Sequence, residues 1–269
     1  MLTRVVDTAN GTDRRQPADL AVEEPLEIRL DDHLVATTMR TPGHDFELAV
    51  GWCHGEGLLA GAPVETVRYC ATGSAVDTEF NVVSVSTGGR APVPDQRLGT
   101  SSTACGLCGS TAIDDLIDRI GPLGPAAVFD PTVLAAVPDR VREHQPLFES
   151  TGAVHAAAAF DIDGAPLVVR EDIGRHNAVD KVVGRLVLDG RVPAADLGLF
   201  VSGRASFEMV QKAWAAGFST VVAVSAPSAL AVEVATRAGI ALAGFARGET
   251  FRLYTDGPTA DGRGQGAAR

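Results

Sequence analysis

Ala104-Cys105-Gly106-Leu107-Cys108-Gly109 holds two of the four cysteines, two residues apart, in a glycine-rich loop. The apolar residues Ile113, Leu116, Ile117 and Ile120 follow at i, i+3, i+4 and i+7, one face of an amphipathic helix. Both thiols therefore stand near a helix N-terminus, where unpaired N–H groups and the macrodipole favour negative charge. Such a setting lowers a cysteine pKa and favours the nucleophilic thiolate. The stretch from 88 to 103, with Pro92, Pro94 and Gly99 and no periodicity, reads as a long loop leading into this motif. An arm of this kind suits a group that must visit more than one site.

Four chemistries use such a loop. A structural zinc site needs four ligands, and Cys53 and Cys70 stand alone in apolar segments, where a small core residue is expected. A thioredoxin-like dithiol follows an early strand of a small βαβ unit, not a long polar loop. A zinc deaminase carries H-x-E followed by P-C-x-x-C, which His54-Gly55-Glu56 and Cys105 to Cys108 imitate, but Ala104 stands where the proline belongs. The fourth chemistry is sulfur carriage as a persulfide.

The whole chain limits these choices. Its 269 residues can bury a full core. A formal net charge of −11 argues against a nucleic-acid surface, although a local basic pocket is compatible with it. There is no apolar run long enough to span a bilayer and no signal-peptide core, so a cytoplasmic protein without membrane association is expected. Four cysteines do not build a disulfide framework at this length.

Taken in order, residues 1–19 read as a mobile lead or a weak strand. Strands are predicted at 25–30 and 33–39, then a helix over 46–59 with Asp45 as N-cap, then strands at 64–71 and 79–87. With the Cys-x-x-Cys loop and its helix, these make a smaller N-terminal α+β part over 20–124. Beyond the Gly/Pro cluster at 121–125, short helices are expected from Thr132, stopping before Pro138, and from Asp139. A hairpin turns at Asp163-Gly164, and a helix over 178–188 takes Asn177 as N-cap. Three strand–helix or strand–strand repeats follow, with strands at 197–201, 220–224, 240–245 and 251–254. The 125–255 segment thus reads as an α/β domain with a mainly parallel sheet, and 256–269 as a disordered tail.

Ligands of parallel sheets sit at the carboxyl ends of the strands. The polar clusters at 172–177, 202–206, 225–228 and 247–250 all follow strands. Small residues there let a backbone approach a ligand, and Arg175, Arg204 and Arg247 supply forked donors for an anion such as a nucleotide phosphate. Any one cluster is equally an ordinary βα turn. His176 fits a ligand contact or a helix cap.

Several long motifs then occur in one order: Cys-Gly-Leu-Cys-Gly at 105–109, His-Ala-Ala-Ala at 155–158, Glu-Asp-Ile-Gly-Arg-His at 171–176, Asp180-Lys181, Ser-Gly-Arg-Ala-Ser-Phe-Glu-Met-Val-Gln-Lys at 202–212, Ala-Val-Glu-Val-Ala at 231–235 and Gly244-Phe245. On these the chain resembles the FdhD family of formate dehydrogenase accessory proteins across most of its length. The resemblance implies a cytidine-deaminase-like three-layer α/β fold, a homodimer, and no deaminase activity. It implies sulfur taken as a persulfide from a cysteine desulfurase and passed to molybdenum held by two molybdopterin guanine dinucleotides, before that cofactor enters the formate dehydrogenase apoenzyme. By position, Cys105 matches the persulfide-bearing cysteine and Cys108 its partner. Phe245, Ala246, Arg247, Gly248, Glu249 and Thr250 match the cofactor-binding stretch, with Arg204, Ser202, Arg175 and His176 as further candidates and GDP as an analogue. It assigns no metal ligand, so no zinc is expected, and gives His54 and Glu56 no role.

Overall fold

The computed structural model describes residues 1–70, 74–94, 120–121 and 123–257. The Cys-x-x-Cys loop, most of the helix predicted after it and the tail from 258 lie outside the described residues.

A hairpin opens the chain, β1 (Leu2–Asp7) pairing antiparallel with β2 (Thr12–Pro17) around Asn10-Gly11, with Gly11 at φ 61°. A four-stranded sheet follows, in the order β4-β3-β6-β5, from β3 (Glu24–Leu30), β4 (His33–Arg40), β5 (Thr66–Tyr69) and β6 (Val82–Ser86). The alternation read at 25–30 places Leu26, Ile28 and Leu30 fully inside, against Leu48, Val50 and Cys53 of helix α1 (Asp45–Gly55). Asp45 lies within the helix and not at its cap. Its carboxylate is held by the Arg40 guanidinium through two bonds of 3.1 Å, so the side chain is unavailable to the helix N-terminus.

The second unit is a six-stranded sheet in the order β12-β11-β10-β9-β7-β8. Its strands are β7 (His155–Phe160), β8 (Pro166–Asp172), β9 (Gly198–Val201), β10 (Thr220–Ala223), β11 (Ala241–Arg247) and β12 (Thr250–Asp256). Only the β9–β10 and β10–β11 pairs are parallel, while β8–β7, β7–β9 and β11–β12 are antiparallel, so the sheet is mixed rather than mainly parallel. The reason is connection length. The β7–β8 and β11–β12 pairs are joined by tight turns, which allow only antiparallel pairing, whereas helices intervene between β9, β10 and β11.

One face of this sheet packs on α4 (Arg175–Leu188), α5 (Phe207–Ala215) and α6 (Ala229–Ala238), with Val182, Met209, Trp214 and Val234 among the buried residues. The other face packs on α2 (Pro131–Arg142), which is followed by the short helix α3 (Pro146–Thr151). Helix α2 is continuous through Pro138, contrary to the expected stop. Leu134, Val137 and Val141 lie on one stripe against Phe160, Phe200 and Val222, and this burial outweighs the one backbone bond that proline removes.

The two units are joined through α1 and α4. A Cβ on Gly51 would collide with the Asp180 carbonyl, and one on Gly184 with the Glu47 carbonyl, so the helices cross with backbones touching. Helix α4 begins at Arg175, three residues earlier than the sequence suggests. Asn177 is not its cap, because its amide donates across the unit boundary to the Met39 carbonyl at 2.8 Å and to Asp172 at 2.9 Å. Beside it, buried Lys181 pairs with Asp172 at 2.7 Å and donates to the Thr41 carbonyl at 2.9 Å.

Candidate functional site

The carboxyl ends of β9, β10 and β11 open into a cavity of about 430 Å³. Ser202, Val224, Ala246 and Arg247 come from the strand ends, His155 and Phe200 from the floor, and Pro138, Asp139, Arg142, Gln145 and Phe148 from α2 and α3. This is where ligands of open α/β sheets gather.

Local structure explains how the strand ends reach it. Strand β11 bulges between Gly244 and Arg247, and Phe245 sits there at φ 54°, a left-handed conformation that is costly for a bulky residue. The bulge turns Phe245 outward under the Arg252 guanidinium, 4.7 Å from the ring centroid, while Ala246 is fully buried and Arg247 reaches the cavity. Gly248 and Glu249 form the two-residue turn into Thr250, with Gly248 supplying φ 56°.

Ser202 Oγ accepts the Ala156 N–H at 2.9 Å and lies 3.4 Å from His155 Nδ1. Its own proton can then be donated to Nδ1 when the ring carries its proton on Nε2. Burial, and then the nearby Arg175 charge, hold His155 below the ordinary histidine range, so the ring is neutral at pH 7.

Arg175 and His176 occupy the first turn of α4 and do not line the cavity, but the Arg175 charge acts on His155 of the floor. Arg175 Nε is buried without a hydrogen-bond partner among the described residues. His176 is pushed down to about 4 by burial and by the Arg175 and Lys212 charges, and Glu208, 3.9 Å away, opposes this only weakly. Arg204 is exposed on the loop after β9 and does not line the cavity. The sequence-predicted candidates thus divide. Ser202, Ala246 and Arg247 meet at the cavity; Arg175 stands beside His155 of its floor; His176, Phe245, Arg204, Gly248, Glu249 and Thr250 lie outside its lining. Cys105 and Cys108 lie outside the described residues.

Sequence reasoning missed the wall made by α2 and α3. Phe148 is fixed there by Glu171, whose carboxylate accepts the N–H groups of Leu147 at 2.9 Å and Phe148 at 2.8 Å, capping α3 from β8. No local signal marks such a cap across 23 residues.

The deaminase-like residues are spent structurally. His54 Nε2 donates to the Ala215 carbonyl at 2.9 Å, tying α1 to α5, and Glu56 lies 3.5 Å from Lys212. Burial, with Asp180 adding to it, pushes the Cys53 thiol up to about 12, so it is an inert core residue. Among the described residues no group of three His, Cys, Asp or Glu side chains could hold a metal ion, and no helix is long and apolar enough to cross a membrane.

A model of the FdhD/NarQ family matches residues 21–260. The chain belongs to the FdhD/NarQ family. Relatives in it include the sulfur carrier protein FdhD of Corynebacterium efficiens, 47% identical over 249 residues, covering 89% of this chain and 90% of that one. The Nocardia farcinica protein of the same name is 47% identical over 257 residues, 94% and 91% of the two chains. The fold matches the crystal structure of a formate dehydrogenase accessory protein from Desulfotalea psychrophila, with a TM-score of 0.73, 23% identity and 95% of each chain covered. Membership in the FdhD/NarQ family covers both units described above.

Proposed function

We propose that this chain is a sulfur carrier serving formate dehydrogenase, working by a cysteine persulfide. The observation that carries this reading is near-full-length identity of 47% to proteins named sulfur carrier protein FdhD, in a chain that holds Cys105 and Cys108 in one glycine-rich loop. In the first step the Cys105 thiolate attacks the outer sulfur of a desulfurase persulfide. A new S–S bond forms, and the desulfurase leaves as thiolate. In the second, Cys108 attacks Sγ of Cys105, expels the outer sulfur as hydrosulfide and leaves a Cys105–Cys108 disulfide for a dithiol reductant to reopen.

The acceptor is molybdenum carried by two molybdopterin guanine dinucleotides, bound as substrate. Its place is the cavity at the ends of β9, β10 and β11. A neutral His155, Ser202 and Arg247 there fit a nucleotide phosphate, with Arg175 and His176 as a second row. Strand order β8-β7-β9-β10-β11, with helices on both faces, supports a cytidine-deaminase-like three-layer architecture for this unit. We place the chain in the cytoplasm as a homodimer, with a cysteine desulfurase and the formate dehydrogenase apoenzyme as partners.

The test is direct. Incubation with a cysteine desulfurase and cysteine should add one sulfur to Cys105, read by peptide mass, and Cys105→Ala should block it. Normal formate dehydrogenase activity in cells carrying only Cys105→Ala would refute the mechanism. Protein purified without chelator should hold no stoichiometric zinc. One zinc per chain, lost on His54→Ala, would favour a deaminase instead.

A further inference from the structure

The six-stranded sheet has a second cavity at its other end, about 240 Å³ in volume, where β10 and β11 begin and β12 ends. Small residues make it. Thr220 and Ala241, buried at the strand starts, are too short to fill the space between Phe129 and Leu134 on the α2 side and Phe251 on β12. Val128 and Leu253, 57% and 48% exposed, stand at its mouth. The walls are fixed before anything binds. Phe129 and Leu134 belong to the core under α2. The loop before them is pinned where Ser219 Oγ donates to the Ala127 carbonyl at 3.1 Å and the Ala127 N–H donates to the Ala195 carbonyl at 2.9 Å. Protein interiors rarely keep a void larger than a water molecule, so an open apolar one between fixed walls marks a place for an apolar group from outside.

Size and charge narrow that group. The volume is below the ~300 Å³ at which pockets for whole small molecules begin, and it suits one large side chain. No Lys, Arg or His lines the cavity. Its one ionisable residue is Asp256, exposed at the last position of β12 and without an ion pair among the described residues. Asp130, between Phe129 and Pro131 in sequence, adds a second exposed carboxylate. Residues 258–269 start two positions beyond Asp256, but they contain only Pro and Ala as apolar side chains and cannot fill the space. A second copy of the chain, at a net charge of −11, complements an acidic rim poorly.

We infer that this cavity is a docking socket for a partner protein, receiving one large apolar side chain that is followed by a lysine or arginine for Asp256. Buried apolar anchors of this kind carry most of the energy of an interface, and a charged pair at the rim adds selectivity more than affinity. The socket and the candidate site lie at opposite ends of β10 and β11, so a partner seated here leaves the other cavity open. The inference does not depend on what that other cavity binds.

Nuclear magnetic resonance titration of the isotope-labelled full chain tests it, with the blocked peptides acetyl-Gly-Phe-Lys-Gly-amide, acetyl-Gly-Ala-Lys-Gly-amide and acetyl-Gly-Phe-Glu-Gly-amide. The Phe-Lys peptide should bind in the millimolar range and shift the amides of Thr220, Ala241 and Leu253. The Ala-Lys peptide should bind about 10- to 150-fold more weakly, the effect of burying one large side chain. The Phe-Glu peptide should bind about two- to fivefold more weakly, the scale of an exposed ion pair. Asp256→Asn should remove that preference, and Leu253→Asp should weaken the Phe-Lys peptide about fivefold while amides far from the socket keep their positions. No shift at these amides with several millimolar Phe-Lys peptide, or equal affinity for the Ala-Lys peptide, would overturn the socket. Equal wild-type affinity for the Phe-Lys and Phe-Glu peptides would overturn the basic neighbour. A Leu253→Asp chain that falls from dimer to monomer in light scattering would assign this surface to a second copy instead.

Discussion

Lys212 Nζ stands 2.7 Å from Asp180 Oδ1, and the two side chains are 5% and 1% exposed. The pair joins α4 to α5, with Glu56, just past the end of α1, as a second acidic neighbour at 3.5 Å. Burial pushes the Asp180 carboxyl up to about 6, and Lys212 offsets only part of that. Burial works against the Lys212 ammonium too, but Asp180 and Glu56 together hold it above its ordinary value. Removing one partner leaves a buried charge uncompensated. Lys212→Met should therefore cost about 3–5 kcal/mol in urea unfolding. Adding Asp180→Leu should recover much of that loss. A double variant as unstable as the sum of the singles would show that the pair is not coupled.

His176 gives stability a dependence on pH. Its folded-state value of about 4 lies below the 6.5 of a free histidine, so the unfolded chain binds more protons between these values. Stability then rises with pH across the window from about 4 to 6.5, and falls as acid charges a ring that burial keeps neutral. The contribution at pH 7 is at most about 3.5 kcal/mol, since each pH unit separating the folded and unfolded values is worth about 1.4 kcal/mol. His176→Gln should flatten the slope of unfolding free energy between about pH 4.5 and 7, measured by urea titration. An unchanged slope would place the titrating group elsewhere.

The strands were legible because their patterns are local. Leu26, Ile28 and Leu30 alternate, and the apolar runs over β9, β10 and β11 are bounded by glycine, serine and proline. The strand-end positions of Ser202 and Arg247 were legible for the same reason, and both residues line one cavity. What could not be read were side chains used over long distances. Asn177 has the spacing of a cap but spends its amide on Met39, and Asp45 likewise spends its carboxylate on Arg40. Pro138 carries a local stop signal that the sheet-facing stripe of α2 overrides. The Arg142–Phe148 wall was invisible because Glu171, which orients it, is distant in sequence.

The crossing of α1 and α4 is a packing prediction. Gly184 has no room for a methyl group, because the Glu47 carbonyl occupies that space. Relief requires two backbones to separate, and no flexible side chain can yield instead. Gly184→Ala should cost on the order of 3 kcal/mol, the upper range for overpacking, despite alanine's better helix propensity. Gly190→Ala, at a position with nothing near its Cβ but φ 67°, is the contrasting control and should cost only the smaller backbone strain. Equal thermal shifts for the two would mean that the helices are not in backbone contact.

Arg247 and Arg204 looked equivalent as anion donors in the sequence, and the cavity separates them. Both are exposed, but Arg247 lines it beyond the bulge at Phe245 and Arg204 lies outside the lining. An arginine in a charge-assisted phosphate contact contributes about 1.5–3 kcal/mol, so Arg247→Ala should weaken GDP binding by roughly 10- to 150-fold. Arg204→Ala should change it less than about threefold, the scale of a distant screened charge. Calorimetry at about 0.15 M salt keeps that long-range contribution small. Persulfide formation on Cys105 by the desulfurase should survive Arg247→Ala, because loading needs no acceptor. Equal losses of GDP affinity in the two arginine variants would indicate a diffuse surface field in place of a cavity contact. Loss of persulfide loading in Arg247→Ala would tie this arginine to the donor rather than the acceptor.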